Sequence, residues 1–246
     1  MRIAALAALF LSLAACRPPE QGRAVAIVGA VLIDGAGGPP LTDSTVIVAA
    51  GRILAAGRRT ELSIPAEADV IDGGGKYIVP SPIDVTSGGA SLSRIATAVE
   101  ARSLVEGGAG AFIGMAAGTA ELDPSFVSQL RDLKVVVAPS LVTAGAALET
   151  ARRNARLLFA GGVPIAVAGN GDPLREAELL ADAGIPPLDV LVAATRNGAL
   201  ALGQIDRRGT IQPGKQADLL LLAANPGEDI RNLRKVIRRM EKGEWR

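Results

Sequence analysis

The residues that could do chemistry in this 246-residue chain do not include a single histidine. Neutral imidazole is the commonest transition-metal ligand and the usual general base near neutral pH. The sequence therefore excludes Ser-His and Cys-His nucleophilic schemes and imidazole-based zinc sites. Any catalysis would depend on carboxylates, lysines or backbone groups.

Carboxylates follow the ends of two predicted strands. Asp172 and Glu176 come after the run VPIAVAGN, and Glu121 and Asp123 come after another strand. Oxygen ligands of this kind suit Mg²⁺ or Mn²⁺, so a site made only of carboxylates could form there. We favour a structural role instead, because Asp172-Pro173 is typical of a helix start, where carboxylates lie near the positive end of the helix dipole.

The first residues of the chain resemble an export signal. Arg2 precedes an apolar run that is too short for a permanent membrane helix. The run ends in LAAC, which resembles the lipobox of bacterial lipoproteins, so we predict a signal peptide over residues 1–15, a lipid on Cys16 and a polar tether over 16–24. Arg17 favours the outer membrane, facing the periplasm, over inner-membrane retention. The alternative is an ordinary signal peptide with an incidental cysteine.

Composition and charge narrow the classes of partner. A hydrophobic content of 49% is ample for a core, and the formal net charge of +1 gives no global attraction for nucleic acid. Aromatic residues make up 2% of the chain, too few for base stacking, so we expect no nucleic-acid partner. The basic C-terminal run RNLRKVIRRMEKGEWR could contact anionic lipid headgroups, although a solvated strand face explains it as well.

Two patterns of predicted secondary structure divide the mature chain. Short β-rich runs and turn residues over 25–76 and 204–246 predict one composite β-domain of sandwich type. Between them, residues 77–203 alternate strand-like and helical runs, which predicts parallel strands with right-handed crossovers. The predicted helices cover Leu92 to Glu106, Pro124 to Leu133, Ala146 to Ala160, Pro173 to Ala183 and Pro187 to Leu202.

At both ends the chain resembles the amidohydrolase superfamily, especially imidazolonepropionase-like and prolidase-like metal-dependent hydrolases. The front part carries GAVLIDGAGGPPLTDSTVIVAAGRILAAG and ADVIDGGGKYIVPSPIDV. The back part carries AGIPPLDVLVAATRNGALALG and GTIQPGKQADLLLLAANPGEDIRNLRKV. The resemblance covers most of residues 25–85 and 160–246, and it implies a β/α barrel, a bound zinc or another divalent metal, and hydrolysis of C–N bonds.

The residues that this resemblance would make metal ligands have been replaced. In the family the first barrel strand ends in Asp-x-His-x-His; here Asp84 remains, but Thr86 and Gly88 occupy the two histidine positions. A later histidine position falls near Gly114, and Asn170 occupies the place of the last strand's catalytic Asp. An amide cannot take up a proton at neutral pH, so we predict no bound metal and assign no catalytic residue.

The β/α region is also short. A complete eight-stranded barrel takes ~250 residues, whereas residues 77–203 yield about four strands. We therefore predict an α/β fold in which a truncated, barrel-like parallel sheet is inserted in a discontinuous small β-sandwich domain. Four parallel strands cannot close, so the open edges could pair across a homodimer.

The sequence supports three hypotheses about function. The first is a lipid-anchored, catalytically inactive binding or scaffolding module of the cell envelope, with Asp84, Asn170, Asp172 and Glu176 as binding candidates and an unknown ligand. The second is a hydrolase that cleaves C–N bonds through an unconventional metal site. The third is a degenerate product without a selected activity. Because Asn170 lies at the carboxyl end of a predicted strand, a small-molecule pocket there fits the first hypothesis.

Overall fold

The structure is a computed structural model, and it describes residues 23–86, 93–94, 103, 106, 111–113 and 121–246. Its strands are β1 Val25–Leu32, β2 Leu41–Ala49, β3 Arg52–Arg58, β4 Asp69–Asp72, β5 Tyr77–Pro80, β6 Ser93–Arg94, β7 Ala111–Ile113, β8 Val136–Ala138, β9 Leu219–Leu222, β10 Val236–Glu241 and β11 Glu244–Trp245. Its α-helices are α1 Pro124–Asp132, α2 Leu148–Ala160, α3 Pro173–Asp182, α4 Pro187–Val192 and α5 Gly198–Ala201. Short 3-10 segments cover Arg59–Glu61, Leu141–Thr143, Gly145–Ala147 and Ile230–Arg234, and a π-helical turn covers Ala193–Asn197.

Eight strands from both ends of the chain form one mixed sheet. Its order is β11-β10-β9-β5-β1-β2-β3, and β4 pairs with β1 off this path. The strands β5 and β9 are antiparallel neighbours, so the C-terminal strands complete the N-terminal sheet. The segment Tyr77–Pro80, which the sequence assigned to the β/α region, is paired within this sheet as β5. The passage into the parallel part therefore begins after Pro80.

Two hairpin turns bring the ends of this sheet together. Ala50-Gly51 joins β2 to β3, and Lys242-Gly243 joins β10 to β11. All four residues have positive φ, as a two-residue type I′ hairpin turn requires. A Cβ on Gly243 would lie 2.6 Å from the Cα of Gly51, so the turns touch and leave no room for a side chain. The sequence predicts hairpin turns at Gly51-Arg52 and at Lys242-Gly243. The second is confirmed, and the first is centred one residue earlier, at Ala50-Gly51.

Three short strands form a parallel sheet in the order β6-β7-β8. On the side of β8 away from β7, Val137 makes a parallel bridge with Ile165, and the backbone N–H of Val85 donates to the carbonyl of Val167 over 3.0 Å. We call the segment around Val85 the first strand segment and the segment 165–167 the last strand segment. The predicted helix from Leu92 to Glu106 is wrong at its start, because Ser93–Arg94 pair with β7 as a strand. Of the later positions in that range, Ser103 and Glu106 are helical.

The four other predicted helices are confirmed as α1, α2, α3 and the continuous run from α4 through the π-helical turn to α5. Their apolar faces pack with β8 and with one face of β9 in the larger core, which includes Leu220 and Leu222. The other face of β9, with Leu219 and Leu221, belongs to a second core shared with β1, β2 and β3. Burial on both faces explains why β9 reads as an unbroken run of leucines.

The observed architecture is thus a mixed α/β fold in which one β-rich part and one parallel part share a core. In the ranges that the structure describes, no helix combines the length and the apolar character needed to cross a membrane.

Candidate functional site

Asp84 joins the first and last strand segments of the parallel part. It is 8% exposed, and its Oδ1 accepts hydrogen bonds from the Thr86 N–H over 2.9 Å and from the Thr86 hydroxyl over 2.6 Å. The Gly169 N–H donates to the same oxygen over 3.1 Å, and the Gly171 N–H donates to Oδ2 over 3.0 Å. The carboxylate thus connects two chain segments that lie more than eighty residues apart.

Thr86 has a structural part in this connection. Its hydroxyl and its N–H both point back to Asp84, which closes a local turn at the end of the strand segment. A neutral hydroxyl that donates to a carboxylate is a poor divalent-metal ligand. Gly88 and Gly114, the other predicted replacements of histidine, lie outside the described residues.

Asn170 lies at the carboxyl end of the last strand segment, in a left-handed backbone conformation with φ of 47°. Its amide nitrogen donates to the Ser140 hydroxyl over 3.1 Å and to the Ala168 carbonyl over 3.4 Å. Ser140 follows β8 and also has a positive φ, 56°. The amide therefore connects the ends of two neighbouring strand segments.

Glu176 is a fully buried carboxylate on α3. Its Oε1 accepts from the Leu141 N–H over 2.7 Å and its Oε2 accepts from the Val142 N–H over 2.8 Å. Burial raises the pKa of Glu176 to about 7, and the charge of Asp84 adds to the rise, although the two backbone N–H groups oppose it. This residue holds the segment that follows β8.

Asp172 confirms the helix-start interpretation. Its side chain accepts from the Arg175 N–H over 2.9 Å as the N-cap of α3, and one oxygen lies 3.5 Å from Arg234. Asp123 caps α1 through Ser125, whose hydrogen bonds hold the pKa of Asp123 below its ordinary value.

The predicted site residues therefore fall into separate roles. Asp84, Asn170 and Glu176 gather around the ends of β8 and the last strand segment, while Asp172, Asp123 and Glu121 serve helix caps or surface ion pairs. Within the parts of the chain that the structure describes, no three histidine, cysteine, aspartate or glutamate side chains are grouped so that they could hold a metal ion. This donor set does not fit the divalent metal that the resemblance implies.

Sequence reasoning missed the part played by Ser140. Its hydroxyl lies 3.0 Å from the Thr143 hydroxyl and accepts from Asn170, so it sits at the centre of this polar group. A serine directly after the buried run VVVAP, at the carboxyl end of a predicted strand, was the available signal.

Comparison with protein families and known proteins gives consistent matches. The model of the amidohydrolase family matches residues 94–245. The imidazolonepropionase of Thermoplasma acidophilum is 34% identical over 92 residues, which are 34% of this chain and 22% of that protein. The chain thus matches less than a quarter of the length of this curated relative.

Solved structures share the fold at low identity. A Bifidobacterium longum protein described as a prolidase aligns with a TM-score of 0.70 at 20% identity over 91% of this chain and 94% of its own. Molinate hydrolase aligns with a TM-score of 0.72 at 14% identity over 92% of this chain and 95% of its own. Since the family model also covers more than half of its residues, the chain belongs to the amidohydrolase family.

Proposed function

We propose that this chain is a non-catalytic member of the amidohydrolase family that acts as a binding or scaffolding module in the bacterial cell envelope. The observation that carries the proposal is the state of Asp84 and Asn170, the two binding candidates that the family resemblance places at motif positions. Within the described ranges, Asp84 accepts hydrogen bonds from Thr86, Gly169 and Gly171, and the Asn170 amide donates to the Ser140 hydroxyl. Neither side chain is arranged to activate water.

The proposal includes a truncated barrel. The backbone of Val85 is hydrogen-bonded to Val167 in the last strand segment, and Ile165 of that segment pairs with Val137 of β8. The strand β8 pairs in turn with β7, and β7 pairs with β6. In a closed barrel the first strand is the neighbour of the last. The observed order supports a chain that keeps the first strand and the last four strands and has lost the strands between them.

Metal content tests the proposal most directly. The full chain is purified in nanodiscs, incubated with zinc, manganese or iron salts, desalted and analysed for bound metal. The same samples are assayed for hydrolysis of an Xaa-Pro dipeptide and of an aryl amide. We expect well below one metal ion per chain and no hydrolysis above the blank. Because catalytic metal sites use several convergent protein ligands, a remnant with one oriented carboxylate should not retain the ion through desalting.

The alternative is a metal-dependent hydrolase that acts on C–N bonds, which the family membership supports equally. It predicts stoichiometric metal together with amide hydrolysis, both lost in Asp172→Asn. Asp132→Asn, a change on the exposed end of α1, is the matched control and should alter neither quantity. That outcome would replace our proposal. Poor expression with low thermal stability, without metal, would favour a degenerate product.

We also propose that Cys16 carries a lipid and anchors the protein in the outer membrane, facing the periplasm. Residues 1–22 lie outside the described residues, so the motif LAAC alone supports this proposal. In cells fed labelled palmitate, the chain should incorporate label and the Cys16→Ala variant should not. Label that persists in Cys16→Ala would contradict lipidation.

A homodimer would protect the open edge of the parallel part. Ser93–Arg94 form the outer strand of the three-stranded sheet, so their outer backbone groups could pair with the same strand of a second copy. Sedimentation equilibrium of the full chain in nanodiscs of matched lipid density should give two chains per assembled particle. A particle with one chain at every concentration would contradict this pairing.

A further inference from the structure

A groove runs along the passage from the large sheet to the parallel part. It consists of two adjoining cavities of about 270 and about 340 Å³, which share Ser81, Pro82 and Arg239. We call it the passage groove. It is separate from the polar group around Asp84 and Asn170, since neither residue lines it.

One end of the passage groove carries an excess of positive charge. Arg208, Arg239 and Lys242 line this end together with Asp218 and Glu241. Asp218 already accepts the Gln216 amide over 2.6 Å and the Lys242 backbone N–H over 2.8 Å, and Glu241 lies 3.6 Å from Arg239. Among the ion pairs of the described residues, Arg208 and Lys242 side chains take part in none. Because no other described residue pairs with these two cations, this end is suited to an anion.

Two polar atoms of the lining residues also lack partners. Within the described residues, the Ser81 hydroxyl and the Arg208 Nε are buried and make no hydrogen bond. A buried donor without a partner costs about 1–3 kcal/mol, so these groups gain more from a ligand that brings acceptors than exposed groups would. A carboxylate supplies such acceptors, and it pairs with the planar fork of an arginine.

The other end of the passage groove is apolar. Pro82, Leu174, Leu220, Leu233 and Val236 line it, and Val236 is 38% exposed there. Arg234 stands at its edge, where its guanidinium is held by Glu178 over 2.6 Å. Because Arg234 is already paired, this end offers apolar contact and little charge.

We propose that the passage groove binds a small organic carboxylate with an apolar body. The carboxylate would pair with Arg208 and Lys242, and the body would lie against Leu174 and Val236. One cavity has a charged lining and the adjoining one an apolar lining, which suits a molecule whose charged and apolar parts are at opposite ends, rather than a bare inorganic anion. The inference rests on the proposed binding function and gives that function a site and a class of ligand.

Hexanoate is the probe that tests this inference, with inorganic phosphate and 1-hexanol as comparisons. The full chain in nanodiscs of zwitterionic lipid is titrated calorimetrically, and empty nanodiscs provide the blank. We expect saturable binding of one hexanoate per chain. Phosphate lacks the apolar body and hexanol lacks the charge, so each should bind at least about tenfold more weakly.

Two pairs of variants locate the binding. Arg208→Met removes a groove cation and should weaken hexanoate binding about tenfold or more, whereas Arg207→Met, on the adjacent exposed residue, should not. Val236→Trp fills the apolar end and should abolish binding, whereas Val70→Trp, on exposed β4, should not. Thermal melting of each variant shows whether it has kept its fold.

The outcomes separate this inference from the proposed function. Lack of saturable hexanoate binding, equal binding of hexanol, equal binding of phosphate, or an equal effect of Arg207→Met and Arg208→Met in folded protein would each overturn the passage groove as a carboxylate site. None of these results would introduce bound metal or hydrolysis, which are the results that would overturn the non-catalytic assignment.

Discussion

The Oε1 atom of Glu176 lies 2.7 Å from the backbone nitrogen of Leu141, and this contact joins α3 to the segment after β8 in the middle of the larger core. The carboxyl is fully buried, so its pKa rises to about 7 from an ordinary 4.5. In the unfolded chain it ionises at the lower value. Between these two pH values the folded state therefore binds more protons than the unfolded state, and stability falls as pH rises.

Glu176→Gln is expected to remove this pH dependence. The free energy of unfolding of the natural chain, minus that of the variant, should decrease by up to about 3 kcal/mol from about pH 5 to about pH 7 and then level off. Urea unfolding at several pH values measures this difference. Glu149→Gln, on an exposed side chain of α2, should give a constant offset. A difference that stays constant or grows with pH for Glu176→Gln would contradict the buried-acid interpretation.

Asp84→Asn tests the connection between the first and last strand segments. The substitution turns one carboxylate oxygen into an amide NH₂, which cannot accept a hydrogen bond. A backbone N–H that donated to that oxygen, such as that of Gly171, therefore loses its acceptor. We expect a loss of about 1–3 kcal/mol in the free energy of unfolding. Chemical denaturation checks this value, and Asp132→Asn, an exposed change on α1, should stay within about 0.5 kcal/mol. Equal effects of the two variants would show that Asp84 contributes no structural bond.

The sequence predicted the elements well where one physical signal dominated. The prolines at Pro124, Pro173 and Pro187 mark helix starts that the structure reproduces, because proline suits the first helical turn. The sequence was less informative for Ser93–Arg94, because the apolar spacing over residues 92–106 suggested a helix. The pairing of these residues with β7 depends on contacts distant in sequence, which periodicity does not encode.

The sequence predicted which metal-binding residues the site lacks better than it predicted the hydrogen bonds that the remaining residues form. The absence of histidine can be read directly from the sequence, and the family resemblance predicted Thr86 and Gly88 at the histidine positions. The hydrogen bonds of Asp84 to Gly169 and Gly171 cannot, because they depend on how the two ends of the parallel part meet. The same holds for Glu176, whose burial is a property of the packed helix.

Gly169→Ala tests how tightly the chain turns after the last strand segment. A Cβ at Gly169 would lie 2.5 Å from backbone atoms of Asp172 and Pro173, which cannot move without displacing the start of α3. We expect a loss of about 1–3 kcal/mol, the typical cost of overpacking. Gly38→Ala is the matched control, because no atom lies within 4 Å of its added Cβ and its φ is ordinary. Thermal unfolding of both variants decides, and a similar midpoint for the two would contradict the close approach.

Leu221→Ala tests whether the two ends of the chain form one cooperative unit. Leu221 lies in β9 between β5 and β10 and is 2% exposed in the second core, so its truncation leaves a cavity among strands from both ends of the chain. We expect a loss of about 2–5 kcal/mol. Leu54→Ala, on a side chain 53% exposed in β3, should change stability by less than about 0.5 kcal/mol.

Trp245, the single tryptophan, reports on β11 by fluorescence, while circular dichroism reports on the whole chain. Because Trp245 packs against the core that contains Ile27 and Val46 of the N-terminal strands, the two signals should change together in both variants, and separate transitions would show that the ends unfold independently.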